Sequence, residues 1–241
     1  MDVPTTVTTA LEDRPITGAT CLEAGAGVGN TTAGLLAADA ARVYAVTNDA
    51  DHASTVSERV GRREVDRTAV LEADLRDLPL ASNSVDVITA HGLCNVLTPQ
   101  SLERVATELT RVAAAGCHLV VDDYEPLPAD AAVRELFALE NAVAELVGGR
   151  PHLTFYPATM LRRLFAGHGW TFDRERTLLD PVPWTRKHLE AHAAVARSGA
   201  EAGELPADLR EPLLAELEDL VTAIDEESVG EMYSIAMRFS G

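Results

Sequence analysis

Lysine is almost absent from this sequence. Lys187 is the one lysine among 20 basic residues, which face 38 acidic residues for a formal net charge of −18. So acidic a chain repels the phosphates of nucleic acid, and a nucleic acid partner is disfavoured. Two origins of the lysine deficit stay open. Dense carboxylates with little lysine resemble the halophilic pattern, which keeps a protein hydrated in concentrated salt. A GC-rich genome also replaces lysine with arginine, but it leaves the acid excess unexplained. Cysteine is scarce as well: Cys21, Cys94 and Cys117 lack metal-type pairing, and an odd number argues against a disulfide framework. Cys21 and Cys117 lie in apolar runs and read as small buried hydrophobes. No apolar run approaches the ~20 residues that span a bilayer. Residues 1–10 are polar and lack the basic-then-apolar order of a signal peptide. The expectation is a cytoplasmic protein without a membrane partner. Two chemistries lose their motifs: there is no Gly-x-Ser-x-Gly elbow, and no phosphate loop closing in Gly-Lys-Ser/Thr.

What is present is an alternation. The length of 241 residues and 46% hydrophobic content suit one large α/β domain over 1–241. Short apolar runs near 19–24, 41–47, 68–73, 84–90 and 117–122 read as strands, with helical patterns between them at 30–39, 50–61 and 99–114. The last of these helices opens on Thr98 as N-cap and Pro99 at the first helical position, and Gly116 is expected to close it. Beyond the fifth strand, helices are expected over 130–147 and 157–167, a strand over 170–178 and a final strand over 232–239. Between those strands lies a charged stretch with an apolar stripe of Leu209, Leu213, Leu214, Leu217, Leu220, Val221 and Ile224. Residues 198–206 read as a flexible connector.

The first strand ends in Glu23 and runs into Gly25, Ala26, Gly27, Val28 and Gly29. Alternate glycines let a backbone turn tightly and approach a ligand. The dinucleotide fingerprint needs a third glycine where Asn30 stands, so a nicotinamide enzyme is the poorer match. The spacing resembles the glycine motif of class I S-adenosylmethionine-dependent methyltransferases. The segments Asp74-Leu75-Arg76-Asp77-Leu78-Pro79 and Asn83-Ser84-Val85-Asp86 resemble that family's run from the third strand into the fourth. This resemblance covers about 19–178 and the last strand. It implies a Rossmann-like α/β fold, with a seven-stranded mostly parallel sheet whose last strand is antiparallel and helices on both faces.

It further implies S-adenosylmethionine as cofactor. Glu23 would hold the cofactor amino group, Gly25, Ala26, Gly27 and Gly29 would run beside its methionine part, and Thr32 would open the helix facing its carboxylate. Asp74 and Leu75 would contact adenine, and Ala90 and His91 would border the cofactor. One position departs from the pattern: Thr47 stands where the family usually carries the acid that binds the ribose, leaving Thr47, Asn48 and Asp49 as alternatives. Acceptor deprotonation would fall to His91, Asp123, Tyr124 or His152. His188 and His192, one turn apart with Glu190 between, do not match a zinc motif and read as a solvated face. No metal is expected.

The Asn/Asp-Pro-Pro-aromatic signature of base methylation is missing after the fourth strand. The reading is therefore a methyltransferase acting on a small molecule, similar in layout to quinone-biosynthesis enzymes. Its alternatives are a protein or RNA methyltransferase and a non-catalytic scaffold. Residues 184–229 add to the minimal fold as a helical insertion, serving as a lid or as a homodimer interface.

Overall fold

A computed structural model describes residues 2–203 and 205–241. The strands are β1 (Thr20–Ala24), β2 (Arg42–Thr47), β3 (Thr68–Glu72), β4 (Val85–His91), β5 (Ala113–Tyr124), β6 (Trp170–Leu179), β7 (Pro183–Trp184), β8 (Glu227–Ser228) and β9 (Met232–Phe239). The helices are α1 (Thr5–Leu11), α2 (Asn30–Ala37), α3 (Ala50–Glu64), α4 (Pro99–Val112), α5 (Val133–Gly148), α6 (Ala158–Gly167), α7 (Arg186–Ala202) and α8 (Ala207–Ile224). Seven strands form one sheet in the order β3-β2-β1-β4-β5-β9-β6. β1 to β5 run parallel, and β9 is antiparallel to both β5 and β6. This is the Rossmann-like sheet of class I methyltransferases, as the sequence resemblance implied.

The central strands are apolar on both faces because helices cover both. In β5, Leu119, Val120 and Val121 are consecutive and all buried, the continuous run expected of a doubly covered sheet. α4 follows its sequence pattern closely. The Thr98 hydroxyl accepts from the Ser101 amide at 3.3 Å, and Leu102, Val105, Ala106, Leu109 and Val112 form the buried stripe.

Three expectations need correction. The helix expected over 99–114 stops at Val112, and β5 begins at Ala113. Ala113 pairs with Val85 across a bulge, and Gly116, at φ +82°, lies inside the strand instead of ending the helix. The connector expected at 198–206 is helical as far as Ala202, because Ala193, Ala196 and Ala200 bury a small-residue face of α7. The short N-terminal arm contains α1, which docks Val7 and Leu11 onto α2.

The insertion is tied down at both ends. β7 and β8 pair antiparallel at its base, Pro183 opposite Ser228 and Trp184 opposite Glu227. The Glu227 carboxylate then accepts from the Ala132 and Val133 amides at 3.0 and 2.8 Å, capping α5. α7 and α8 share a core with α5 through Leu136, Phe137, Leu189, Leu217 and Val221. Among the described residues no helix is long and apolar enough to cross a membrane.

Candidate active site

Strand order reverses direction between β1 and β4, and open α/β sheets bind ligands beyond the carboxyl ends of strands at such a point. The loop after β1 needs its glycines: Gly25, Gly27 and Gly29 sit at φ +78°, +48° and +76°. A Cβ on Gly25 would also lie 3.0 Å from Leu93 Cδ1. The loop, the ends of β2 and β4 and the 74–76 turn enclose a cleft of about 430 Å³. Gly25, Gly27, Thr47, Asn48, Asp74, Leu75 and His91 line it. Ala26, Gly29, Thr32 and Ala90 are buried and do not line it. His52, from α3, and Arg150 also line it; neither belongs to a family motif, so only the fold could place them there.

Thr47, Asn48 and Asp49, the three candidates for a ribose contact, sit in different settings. Asp49 caps α3, its Oδ1 accepting from the His52 amide at 2.9 Å. Thr47 is buried and its hydroxyl accepts from the Asp49 amide at 3.2 Å. Asn48 faces the cleft with no backbone duty of that kind. Asp74 is exposed and paired with Arg76, Nη2 to Oδ2 at 2.6 Å, and that hydrogen bond holds its carboxyl down at about 2.

Three carboxylates, Glu23, Asp122 and Asp123, are buried around His91. Glu23 is 2% exposed and accepts a hydrogen bond from the Thr32 hydroxyl. Burial pushes its carboxyl up to about 7 despite that bond. Asp123 is fully buried and raised by burial to about 6, although it accepts from the Asn95 and Tyr124 amides at 3.0 and 2.9 Å. These bonds make Asp123 an anchor for the 92–95 segment rather than a cavity-facing base. His91 Nδ1 donates to Asp122 Oδ2 at 3.1 Å. Burial disfavours protonated His91, but the Asp122 hydrogen bond and the Asp122, Glu23 and Asp123 charges outweigh it and raise its proton affinity. Asp122 Oδ1 is buried with no hydrogen-bond partner among the described residues.

A second cavity, about 200 Å³, opens next to this cleft. Residues 93–96 border both: Leu93 and Val96 line the cleft, and Asn95 lines the second cavity. Tyr124, Phe155, Trp184, His188 and His192 supply the other main walls. The rings hold one another, with Tyr124 and Trp184 centroids 5.3 Å apart and Phe137 packed at 5.5 Å from Phe155 and 5.1 Å from Trp184. Tyr124 lines this cavity, and burial raises its hydroxyl above the ordinary tyrosine value. His152 is not a wall residue; its Nδ1 donates to Glu140 at 2.5 Å.

The reading of His192 as part of a solvated face is corrected. Its Nδ1 donates to the other oxygen of Glu140 at 2.9 Å, and Glu140 is 1% exposed. Burial alone would raise the Glu140 carboxyl, but the two imidazole hydrogen bonds more than offset it and hold it below the usual glutamate value. Glu140 was invisible in sequence because it follows Leu139 in α5 with no motif around it. Among the described residues no cluster of three His, Cys, Asp or Glu has the arrangement of a metal site.

The glycine loop, the switch-point cleft and the mixed sheet define a nucleotide-type cleft on a class I methyltransferase fold. Residues 22–121 match the family model of the methyltransferase domain. A demethylmenaquinone methyltransferase of Clavibacter sepedonicus is 36% identical over 118 residues, which are 47% of this chain and 44% of that protein. The match thus spans less than half of the curated relative. Among solved structures, the geranyl diphosphate C-methyltransferase of Streptomyces coelicolor, in complex with Mg²⁺, geranyl diphosphate and S-adenosyl-L-homocysteine, superimposes with a TM-score of 0.60 at 16% identity. That match covers 96% of this chain and 76% of the other. The [4+2]-cyclase SpnF superimposes with a TM-score of 0.65 at 16% identity, over 97% of this chain and 79% of that one. The fold is common to both, and at these identities it does not select the reaction.

Proposed function

We propose that this chain is an S-adenosylmethionine-dependent methyltransferase whose acceptor is a small molecule held in the aromatic cavity. The observation that carries the reading is the charge balance of the cleft. Buried Glu23, Asp122 and Asp123 all act on His91, which lines the cleft, and Asp122 Oδ1 is left without a hydrogen-bond partner among the described residues. A ligand bearing an ammonium and a sulfonium there offsets what burial makes costly. The glycine backbone gives room for its methionine part, and Asn48 and Asp74 also line the cleft, which supports reading them as the ribose and adenine contacts.

S-adenosylmethionine bound there supplies a methyl group activated by the sulfonium. What this chain adds is alignment and exclusion of water. Thr32 and the α2 start orient Glu23 toward the ammonium. Asp123 holds the Asn95 amide and so fixes the segment that borders both the cleft and the acceptor cavity. α7 contributes His188, Ala191 and His192 to the wall of the acceptor cavity, which supports a lid role for residues 184–229.

Calorimetric titration with S-adenosylmethionine and S-adenosylhomocysteine tests the reading. Micromolar binding that is lost on Glu23→Gln together with Asp74→Ala supports it. A folded protein that binds neither, in dilute buffer or in molar salt, sinks it in favour of a scaffold.

A further inference from the structure

We infer that Glu140 and His192 form a carboxylate-imidazole base for an acceptor that is a neutral, single-ring aromatic hydroxyl compound, methylated on its oxygen. This rests on the proposed methyltransferase reading and concerns the second cavity alone.

The geometry assigns a state to each ring nitrogen. Glu140 is buried, and its two oxygens take one hydrogen bond each, from His152 Nδ1 at 2.5 Å and His192 Nδ1 at 2.9 Å. An imidazole that donates through Nδ1 to a carboxylate presents the Nε2 lone pair as its free basic site. His192 lines the cavity, and its Nε2 has no hydrogen-bond partner among the described residues. A buried carboxylate behind an imidazole also stabilises the imidazolium once a proton arrives.

The cavity selects the acceptor by shape and charge. At about 200 Å³ it falls below the ~300–1,000 Å³ of drug-sized sites, so it takes about one substituted ring. Tyr124, Phe155 and Trp184 offer ring faces and edges, and no Arg, Lys, Asp or Glu lines the wall. Acceptors anchored by a carboxylate or a phosphate therefore find no counter-charge. A second polar group is provided for: Asn95 is 8% exposed, lines the cavity, and its Oδ1 has no hydrogen-bond partner among the described residues. A neutral amine needs no base to expose its lone pair, whereas an aromatic hydroxyl gains its nucleophilicity by losing a proton. The buried carboxylate-imidazole pair is the device the second case requires.

In the transfer step the acceptor O–H bond breaks and its proton goes to His192 Nε2. The oxygen forms a bond to the methyl carbon as the carbon–sulfur bond breaks, the electron pair leaving on sulfur. The products are a methyl ether, S-adenosylhomocysteine and an imidazolium that later returns its proton to water. Glu140 acts through His192 and is a positioning residue. The titratable groups facing His192 are Glu140 on α5, His152 on the 150–157 segment, Tyr124 at the end of β5, and His188 on its own helix.

The test uses 4-nitrophenol, whose phenolate has its own visible absorption band, with the full-length protein saturated in S-adenosylhomocysteine. The expected result is that the wild type binds it and raises the phenolate fraction at a pH where the free phenol is largely protonated. His192→Gln should abolish that shift, and Glu140→Gln should move its midpoint to higher pH, both with wild-type cofactor affinity as the check on folding. With S-adenosylmethionine, mass spectrometry should find the methyl ether, and His192→Gln should lower kcat by roughly 10²–10⁴-fold. Failure of cofactor binding overturns the methyltransferase reading itself. Cofactor binding with no phenol bound, a phenolate shift unchanged in His192→Gln, or a methyl group found on carbon overturns the inference alone.

Discussion

At the scale of single residues, the departure at Thr47 turns on what its neighbours are already doing, and we propose Asn48 for the ribose contact. The Asp49 carboxylate is engaged by the first turn of α3, while Asn48 is free to face the cleft. Asn48→Ala should therefore weaken S-adenosylmethionine by up to roughly 10-fold, the worth of an ordinary hydrogen bond. Asp49→Ala should leave that affinity unchanged and lower thermal stability through loss of the cap. A reversed pattern in calorimetry would assign the ribose to Asp49. Glu23 carries a pH signature. Its carboxyl is raised to about 7 in the folded protein, so between the ordinary glutamate value and 7 the unfolded chain gives up the proton first. Stability from this group falls with rising pH across that window and levels off above about 7. Cofactor affinity should move the opposite way, rising through pH 7 as Glu23 ionises to meet an ammonium. Glu23→Gln should flatten that dependence and weaken binding roughly 10- to 100-fold, the range for a hydrogen bond to a charged group. A pH-independent wild-type affinity would exclude Glu23 as the ammonium partner.

At the scale of elements, legibility followed periodicity and motif. α4 was readable from its cap and stripe, and β1 with its glycine loop from residue type alone, because local chemistry decides both. The end of α4 was not, since a bulge opposite Val85 starts β5 early, and no local signal reports a cross-strand partner. The second cavity was legible only in part. Tyr124 was found at a strand end, but Glu140 and His192 come from α5 and α7, about 50 residues apart in sequence, and only helix packing brings them together. α1 escaped notice for a similar reason: seven residues lack the length for a helix stabilised by itself, and its stability comes from docking. That docking has a precise contact. A Cβ on Gly34 would fall 2.7 Å from Val7 Cγ1 and 3.3 Å from Leu11 Cδ1. Gly34→Ala should thus push α1 away and cost about 1–3 kcal/mol by overpacking. Denaturant unfolding gives the cost, and faster hydrogen exchange confined to residues 5–11 gives the location. An unchanged midpoint with unchanged exchange would show that α1 does not pack there in solution.

Across the whole molecule, charge sets two opposing responses to salt. A net charge of −18 on 241 residues makes the compact state repel itself, and that long-range repulsion is screened as the Debye length shrinks from about 10 Å at 0.1 M to about 3 Å at 1 M. Against it stands the ion network that joins α1 to β6. Arg14 bridges Asp13 and Asp173 at 2.9 and 2.6 Å, and Arg174 and Arg176 reach Asp13 at 2.9 and 3.2 Å. Salt weakens attractive pairs too, but contact pairs whose arginines are largely covered are screened less than repulsions spread over the surface. The Arg14 side chain is only 5% exposed, so the network should persist in concentrated salt. The melting temperature should therefore rise by a few °C between about 0.1 M and 1 M KCl, each kcal/mol being worth roughly 2–4 °C at this chain length. Arg174→Ala separates the terms, because it should lower the curve at every salt concentration while leaving its upward slope intact. A wild-type melting temperature that falls with added KCl would mean that local pairs outweigh global repulsion, and the acid excess would then need an explanation other than salt adaptation.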